Sequence, residues 1–412
     1  MQRIGLMAMG GSNWIAGVQN IHSLLYGNSL LPAGERGSLR LYIDYGNHQI
    51  SDYREVRMFS AGVHVTHLSP AASLSLYRKL RRIASSVVRQ RRWPELPRLD
   101  LPRLLHKHRT DVLFAGTHIA RDSAVPQISW IPDFQHVHRP DFFSVEERQA
   151  RDRHFARVMA KADRVIVSNK FSYDDAVRLF PESQQKLALV PFSNYLGRGW
   201  RMADAQRILL KYELPKKFLL FPFQFWKHKN HSTVFRAIQL LRERGIDDVV
   251  LVCTGFPHDY RFPNYAAELR ELLDTCGLAT AVRVLGLIPR HDQVQLMRAA
   301  ASIVQSSLFE GRSAVLEECE SLGKLVFASD IPMHREQLTE RVHLFTPTSA
   351  EELADLLAQH WPGLIPGPDP ELEVVAEAKY QFRIREFARQ FIALCGDVLE
   401  ERNPASIMPR YR

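Results

Sequence analysis

Short apolar runs alternate with helical periodicities along nearly the whole chain, and this alternation limits the fold more than any other feature. In the first half, strand-like runs at 3–9, 39–44, 62–66, 111–115, 127–131, 164–168 and 187–190 are separated by helical patterns at 14–27, 72–92, 144–161 and 170–180. The order restarts with runs at 217–222, 249–253, 281–285, 302–305 and 324–328, and helical patterns at 230–244, 265–276, 290–300, 313–322 and 350–361. Strands that alternate with helices build parallel sheets covered by helices. A chain of 412 residues exceeds what one hydrophobic core usually holds. The expected fold class is therefore α/β, with two Rossmann-like parallel-sheet domains facing a cleft. The turn-rich stretch Pro191–Gly199 reads as the linker, and the proline- and glycine-rich run Pro362–Pro370 as a second crossing. This gives an amino-terminal domain at 1–195, a carboxyl-terminal domain at 200–370 and a helical region at 371–412.

Several classes are set aside by composition. No apolar run approaches the roughly 20 residues that span a bilayer. Met1–Met9 reads as a first strand rather than a secretory leader. The four cysteines lie far apart without a Cys-x-x-Cys pair, which suits buried thiols in a reducing cytoplasm. The net charge of +9 is concentrated, since residues 78–109 hold 11 Lys or Arg against two acids, and the remainder is neutral. No recognition motif for nucleic acid accompanies this patch. Leu76, Leu80, Ile83, Val87 and Val88 form an apolar stripe flanked by Arg78, Arg81, Arg82, Arg89 and Arg92. That is the pattern of a helix on an anionic membrane face, or of a core helix with a basic outer side.

Four segments carry candidate chemistry. Ser306–Glu318 follows a strand and opens a helix. On a helical wheel Ala314, Val315, Cys319 and Leu322 share one arc of roughly 140°, with Glu317 and Glu320 directed outward. Glu318 falls inside the apolar arc, where an acid needs a partner, either a ligand hydroxyl or a core arginine. Glu310 lies eight residues earlier on the loop. The N–H groups of Arg312, Ser313 and Ala314 form a helix start suited to a diphosphate. Ser307-x-x-Glu310 also fits a capping box.

The second segment, Phe221–His231, places Gln224, Lys227 and Lys229 at a strand's carboxyl end, where open α/β sheets bind ligands. A lysine there neutralises a leaving diphosphate; the alternative is a solvated basic helix start. Gly10 and Gly11 form a loop after the first strand that lets the backbone approach phosphate or sugar. Asp133, His136 and His138 follow another strand end as polar cleft groups, at no known zinc spacing.

Taken together, these segments resemble the retaining family-four (group 1) glycosyltransferases with the GT-B fold, in particular bacterial members that build surface polysaccharides. The resemblance rests on Glu310-x7-Glu318, on Leu322-Gly323-Lys324-Leu325-Val326, on Ser329-Asp330-Ile331-Pro332-x-His334-Arg335-Glu336, and on Phe225–His231 upstream. It implies that Glu318 holds the nucleotide ribose and that Glu310 contacts the donor sugar. The N–H groups of Arg312 to Ala314 would hold phosphate, Lys229 would neutralise the diphosphate, and the Gly10-Gly11 loop would close over the donor. Glu310, Lys229, Asp133 and His136 are the catalytic candidates, with Gln224 and Lys227 on the donor side.

The implied reaction moves a hexose of mannose or glucose type from a GDP- or UDP-sugar to a hydroxyl of a glycan or lipid-linked acceptor. The anomeric configuration is kept and neither metal nor cofactor takes part. The expected location is the cytoplasm, with peripheral attachment to the inner membrane face through residues 78–109. The final helix is expected to cross back to the first domain. Two positions depart from the family. Gln224 stands where many members have arginine, and Pro132 where many have histidine. They favour a rival reading, a non-catalytic sugar-nucleotide-binding protein of the same fold.

Overall fold

The computed structural model describes residues 1–11, 14–44, 50–66, 101–120 and 123–402. Most of the basic segment 78–109, including the amphipathic stripe at 76–92, lies outside the described residues.

The first sheet contains β1 (Arg3–Met7), β2 (Ser38–Asp44), β3 (Gly62–Thr66), β4 (Val112–Gly116), β5 (Gln127–Trp130), β6 (Arg164–Val167) and β7 (Leu187–Leu189). Their order is β3-β2-β1-β4-β5-β6-β7, and every pairing is parallel. The second sheet contains β8 (Leu219–Pro222), β9 (Leu251–Thr254), β10 (Val282–Gly286), β11 (Ser302–Gln305), β12 (Val326–Ser329) and β13 (Val342–Phe345). Its order is β10-β9-β8-β11-β12-β13, again parallel throughout. The central strands are buried on both faces, as parallel sheets covered by helices require.

The described helices in chain order are α1 (Ile15–Leu30), α2 (Leu101–Lys107), α3 (Gln135–His138), α4 (Val145–Lys161), α5 (Lys170–Leu179), α6 (Gln206–Lys211), α7 (His231–Glu243), α8 (Tyr265–Thr275), α9 (Arg290–Ala299), α10 (Ala314–Ser321), α11 (Pro332–Arg335), α12 (Ala350–His360) and α13 (Pro370–Arg402). Helix α4 begins at a capping box of Ser144 and Glu147.

Strand order reverses between β1 and β4 in the first sheet and between β8 and β11 in the second. Ligands of open α/β sheets bind beyond the strand ends at such switch points. The Gly10-Gly11 loop follows β1, the lysine segment follows β8, and Glu310 follows β11. All three therefore lie at the switch points.

The chain crosses between the sheets twice. On the first crossing, Ser193 Oγ donates to Glu317 at 2.6 Å and the Asn194 N–H donates to the same carboxylate at 2.8 Å. Glu317 is 2% exposed, so the expected outward orientation is wrong. The wheel had only solvent to offer that face, whereas the linker covers it and supplies two donors. On the second crossing, the buried ammonium of Lys324 donates to the carbonyls of Arg298 (3.1 Å), Ala300 (2.6 Å) and Gly367 (3.0 Å). Arg298, also buried, pairs with Glu373 at 2.7 Å and donates to the carbonyls of Trp200, Arg201 and Ala203. One side chain thus ties both crossings to α9. Helix α13 then packs on α1, with Phe391 edge-on to Phe114 at 5.2 Å.

No helix among the described residues is long and apolar enough to cross a membrane. Cys253, Cys319 and Cys395 are buried free thiols and Cys276 is half-buried.

Candidate active site

Lys229 sits in the turn after β8, just before α7. Its ammonium is 2.6 Å from Glu310 Oε1, and both side chains are largely buried. The same oxygen accepts from Ser307 Oγ at 2.7 Å. Ser307 therefore orients Glu310 and caps no helix. The N-cap of α10 is Ser313, whose Oγ accepts the Leu316 N–H at 3.1 Å. Behind this pair, Gln305 joins Ser313 Oγ at 2.7 Å and the buried His334 ring at 2.9 Å. Burial pushes the His334 imidazole down to about 4, so the ring at the rear of the site is neutral. Two expected catalytic groups from β8 and β11 are thus one ion pair at a switch point.

The helix start above them is partly occupied. The Ser313 N–H donates to Gln337 Oε1 at 2.8 Å, so it is not open as expected. The N–H groups of Arg312 and Ala314 have no partner among the described residues. The side chain of Arg312 turns to the linker and donates to the Phe192 carbonyl at 3.3 Å.

Glu318 is 3% exposed and accepts a bidentate pair from Arg290 at 2.7 and 3.1 Å. Burial raises its carboxyl and Arg290 opposes this. Arg290 is the first residue of α9, at the cleft side of β10, and its Nε is buried without a partner among the described residues. Its charge reaches His22 on α1, where burial pushes the imidazole down and Arg290 adds to the shift. The ion pair therefore faces the first domain.

Gln224 is half-buried, and its carbonyl accepts the Trp226 N–H at 2.7 Å. The Lys227 backbone N–H donates to Asp259 at 3.0 Å, and its ammonium lies 4.5 Å from the centre of the Phe262 ring. The buried His228 ring faces Arg261 at 3.2 Å. Burial first, then Lys229, Arg261 and Arg139, keep that imidazole uncharged. Arg261, on the loop after β9, also donates to Gln135 of the first domain at 3.3 Å.

From the first domain, Gly10 follows β1 with φ +77°, which favours glycine. Trp14, beyond Gly11, stacks on Trp130 at 5.7 Å. Asp133 is half-buried, accepts the Gln135 N–H at 2.9 Å and lies 3.9 Å from Arg151. It directly adjoins Gly311. A Cβ on that glycine would overlap the Pro132 carbonyl oxygen and stand 3.1 Å from Asp133 Cβ. Asp133 and Glu310 are thus brought to one place.

Among the described residues no contact brings His136 there. It is buried, 3.1 Å from Asp152 on α4, and burial pushes its proton affinity down. His138 instead touches the Glu310 loop, stacking on Phe309 at 5.6 Å.

Arg290, Arg261, Asn169 and Gln337 reach the site from separate elements and lack any sequence spacing to Glu310 or Lys229 that would mark them. Among the described residues, no three His, Cys, Asp or Glu side chains converge as a metal site.

Two parallel-sheet domains, with the candidate residues of each at a switch point facing the other, define the GT-B class of fold. The fold is shared with HepE of Anabaena, solved with UDP and glucose (TM-score 0.59, 14% identity, covering 99% of this chain and 100% of that one). It is also shared with sucrose-phosphate synthase of Thermosynechococcus elongatus (TM-score 0.64, 16% identity, 98% and 100% covered). A third such structure is WaaG, a glycosyltransferase involved in lipopolysaccharide biosynthesis (TM-score 0.59, 14% identity, 97% and 99% covered). No curated relative matches the sequence. Residues 205–360, which hold the Lys229–Glu310 pair, match the family model of Glycosyl transferases group 1. The second domain is thus similar to the group 1 glycosyltransferases.

Proposed function

We propose that the chain is a retaining hexosyltransferase. It moves a hexose of mannose or glucose type from a GDP- or UDP-sugar to a hydroxyl of a glycan or lipid-linked acceptor. The observation that carries this reading is the Lys229–Glu310 pair at the switch point of the second sheet. The α10 start lies directly after it, with two unpaired N–H groups among the described residues. A diphosphate seated there meets one ammonium, two amide donors and a helix dipole. Negative charge grows on the diphosphate as the glycosidic bond breaks, so preorganised donors favour the transition state over the bound donor. The acceptor hydroxyl attacks from the same face, with Asp133 of the first domain adjoining the loop that carries Glu310. Glu318 and Arg290 receive the ribose. HepE was solved with UDP and glucose, which favours a UDP-sugar.

The test is nucleotide release from UDP-, GDP-, dTDP- and ADP-sugars, with and without acceptor. Release above background from a GDP- or UDP-hexose is expected. Binding of such a donor without any release, even with glycan or lipid-linked acceptors added, supports the non-catalytic reading that Gln224 and Pro132 suggest. Membrane attachment is the second part of the proposal and rests on the charge at 78–109. Each Lys or Arg near an anionic surface contributes about 1 kcal/mol, and salt screens it. Sedimentation with vesicles of anionic lipid should capture the protein at low salt and release it as salt rises. Capture that ignores lipid charge would sink this part.

A further inference from the structure

The first turn of α5 is where the second domain rests on the first. Asn169, its N-cap, is 3% exposed and uses both ends of its amide. Its Oδ1 accepts the Ser172 N–H at 2.7 Å, and its Nδ2 donates to the carbonyl oxygen of Gly311. The next two N–H groups, of Lys170 and Phe171, donate to the carboxylate of Glu336 at 2.8 and 2.7 Å. The neighbouring Gln337 holds the Ser313 N–H at 2.8 Å and the Ser313 carbonyl at 2.9 Å. Phe171 of α5 packs beside the buried Phe309, Ile331 and Met333 of the second domain. The helix end of one domain is therefore satisfied by Glu336 of the other, while its cap residue Asn169 holds the loop that carries Glu310.

We propose that Asn169 is a positioning residue for sugar transfer, one that sets the Gly311–Arg312 peptide plane when the domains meet. A trans peptide directs its C=O and N–H to opposite sides. Drawing the Gly311 oxygen toward α5 turns the Arg312 N–H away from α5. That N–H, like that of Ala314, has no partner among the described residues. The inference rests on the reading above, in which these N–H groups receive the donor diphosphate. Glycine has the widest backbone freedom, so the Gly311–Arg312 peptide is poorly fixed until Asn169 holds it. Closure of the domains then fixes a donor group for the leaving diphosphate before the bond breaks, which is where preorganisation acts. Only glycine fits against the Pro132 carbonyl in this arrangement, so the same contact needs Gly311 on one side and Asn169 on the other.

Capping and positioning are separable. Asp and Ser cap helices about as well as Asn, and neither carries an amide N–H for Gly311. Asn169→Asp, Asn169→Ser and Asn169→Ala are compared by thermal midpoint and by nucleotide release from UDP-glucose, or from the GDP- or UDP-sugar that the wild type cleaves. For Asp and Ser, the expected result is a thermal midpoint near wild type. Turnover should fall roughly tenfold, the size of one lost hydrogen bond, with donor KM changed less than about threefold. Ala should lose turnover to a similar extent and also lose thermal stability. Wild-type turnover in Asn169→Ser or Asn169→Asp would overturn the proposal and leave Asn169 as a helix cap alone. A wild-type chain that neither binds nor cleaves any of the donors would instead overturn the donor reading, and this inference with it.

Discussion

At the scale of residues, Lys229 and Glu310 neutralise each other in the free protein, and a donor diphosphate competes for the same ammonium. Replacing Lys229 by alanine should lower turnover by roughly a hundredfold, in the range of losing a group that meets charge only in the transition state. Donor KM should move much less. Nucleotide-release kinetics read both, and turnover near wild type would reduce Lys229 to a helix-start residue. Glu318→Ala should weaken donor binding by roughly 1.5–3 kcal/mol through loss of a charge-assisted hydrogen bond. It also strips Arg290 of its bidentate partner. A nucleotide titration must therefore be paired with a thermal midpoint. A folded variant with unchanged affinity would leave Glu318 as half of a structural ion pair.

At the scale of elements, the second crossing is held by a buried cation. Burial lowers the Lys324 ammonium from 10.5 to about 8. Between those values the unfolded chain binds more protons than the folded one, so this group makes stability rise with pH. Its cost is fully present below about pH 8 and is relieved toward pH 10.5. Lys324→Met removes the titration and leaves three carbonyls without their donor. In urea unfolding, wild type should gain stability relative to this variant between about pH 8 and pH 10; a constant difference would contradict the assignment.

The same region shows what the sequence carries and what it does not. Alternation located twelve of the thirteen strands because parallel strands buried on both faces are short apolar runs. It missed β13, an edge strand of four residues with His343 inside it and only Phe345 fully buried. It missed α6, six residues long with Leu210 exposed. Glu310 and Lys229 were legible because each follows a strand end. Asn169, Arg290 and Arg261 were not, since their meaning comes from contacts across separate loops and, for Asn169, from the other domain. Glu317 was misread for the same reason.

At the scale of the whole molecule, the two domains touch where Gly311 meets Pro132 and Asn169. Gly311→Ala places a methyl on the Pro132 carbonyl oxygen, so the contact must open. The radius of gyration from small-angle scattering should rise, and nucleotide release should fall at least tenfold, the typical cost of a misplaced reacting group. Unchanged scattering with unchanged turnover would show that the contact carries no function.

Helix α13 spans 33 residues, about 50 Å, and covers the first domain. Its partners α1 and β4 are made well before it, so Phe114 meets Phe391 only once α13 has been made. Chains emerge at about 5–20 residues per second, so α1 waits roughly 20–70 s for the surface that covers it. During that interval the face of α1 destined for α13 stays open to water, nascent neighbours and chaperones. A chain cut short before α13 would leave that face of α1 uncovered.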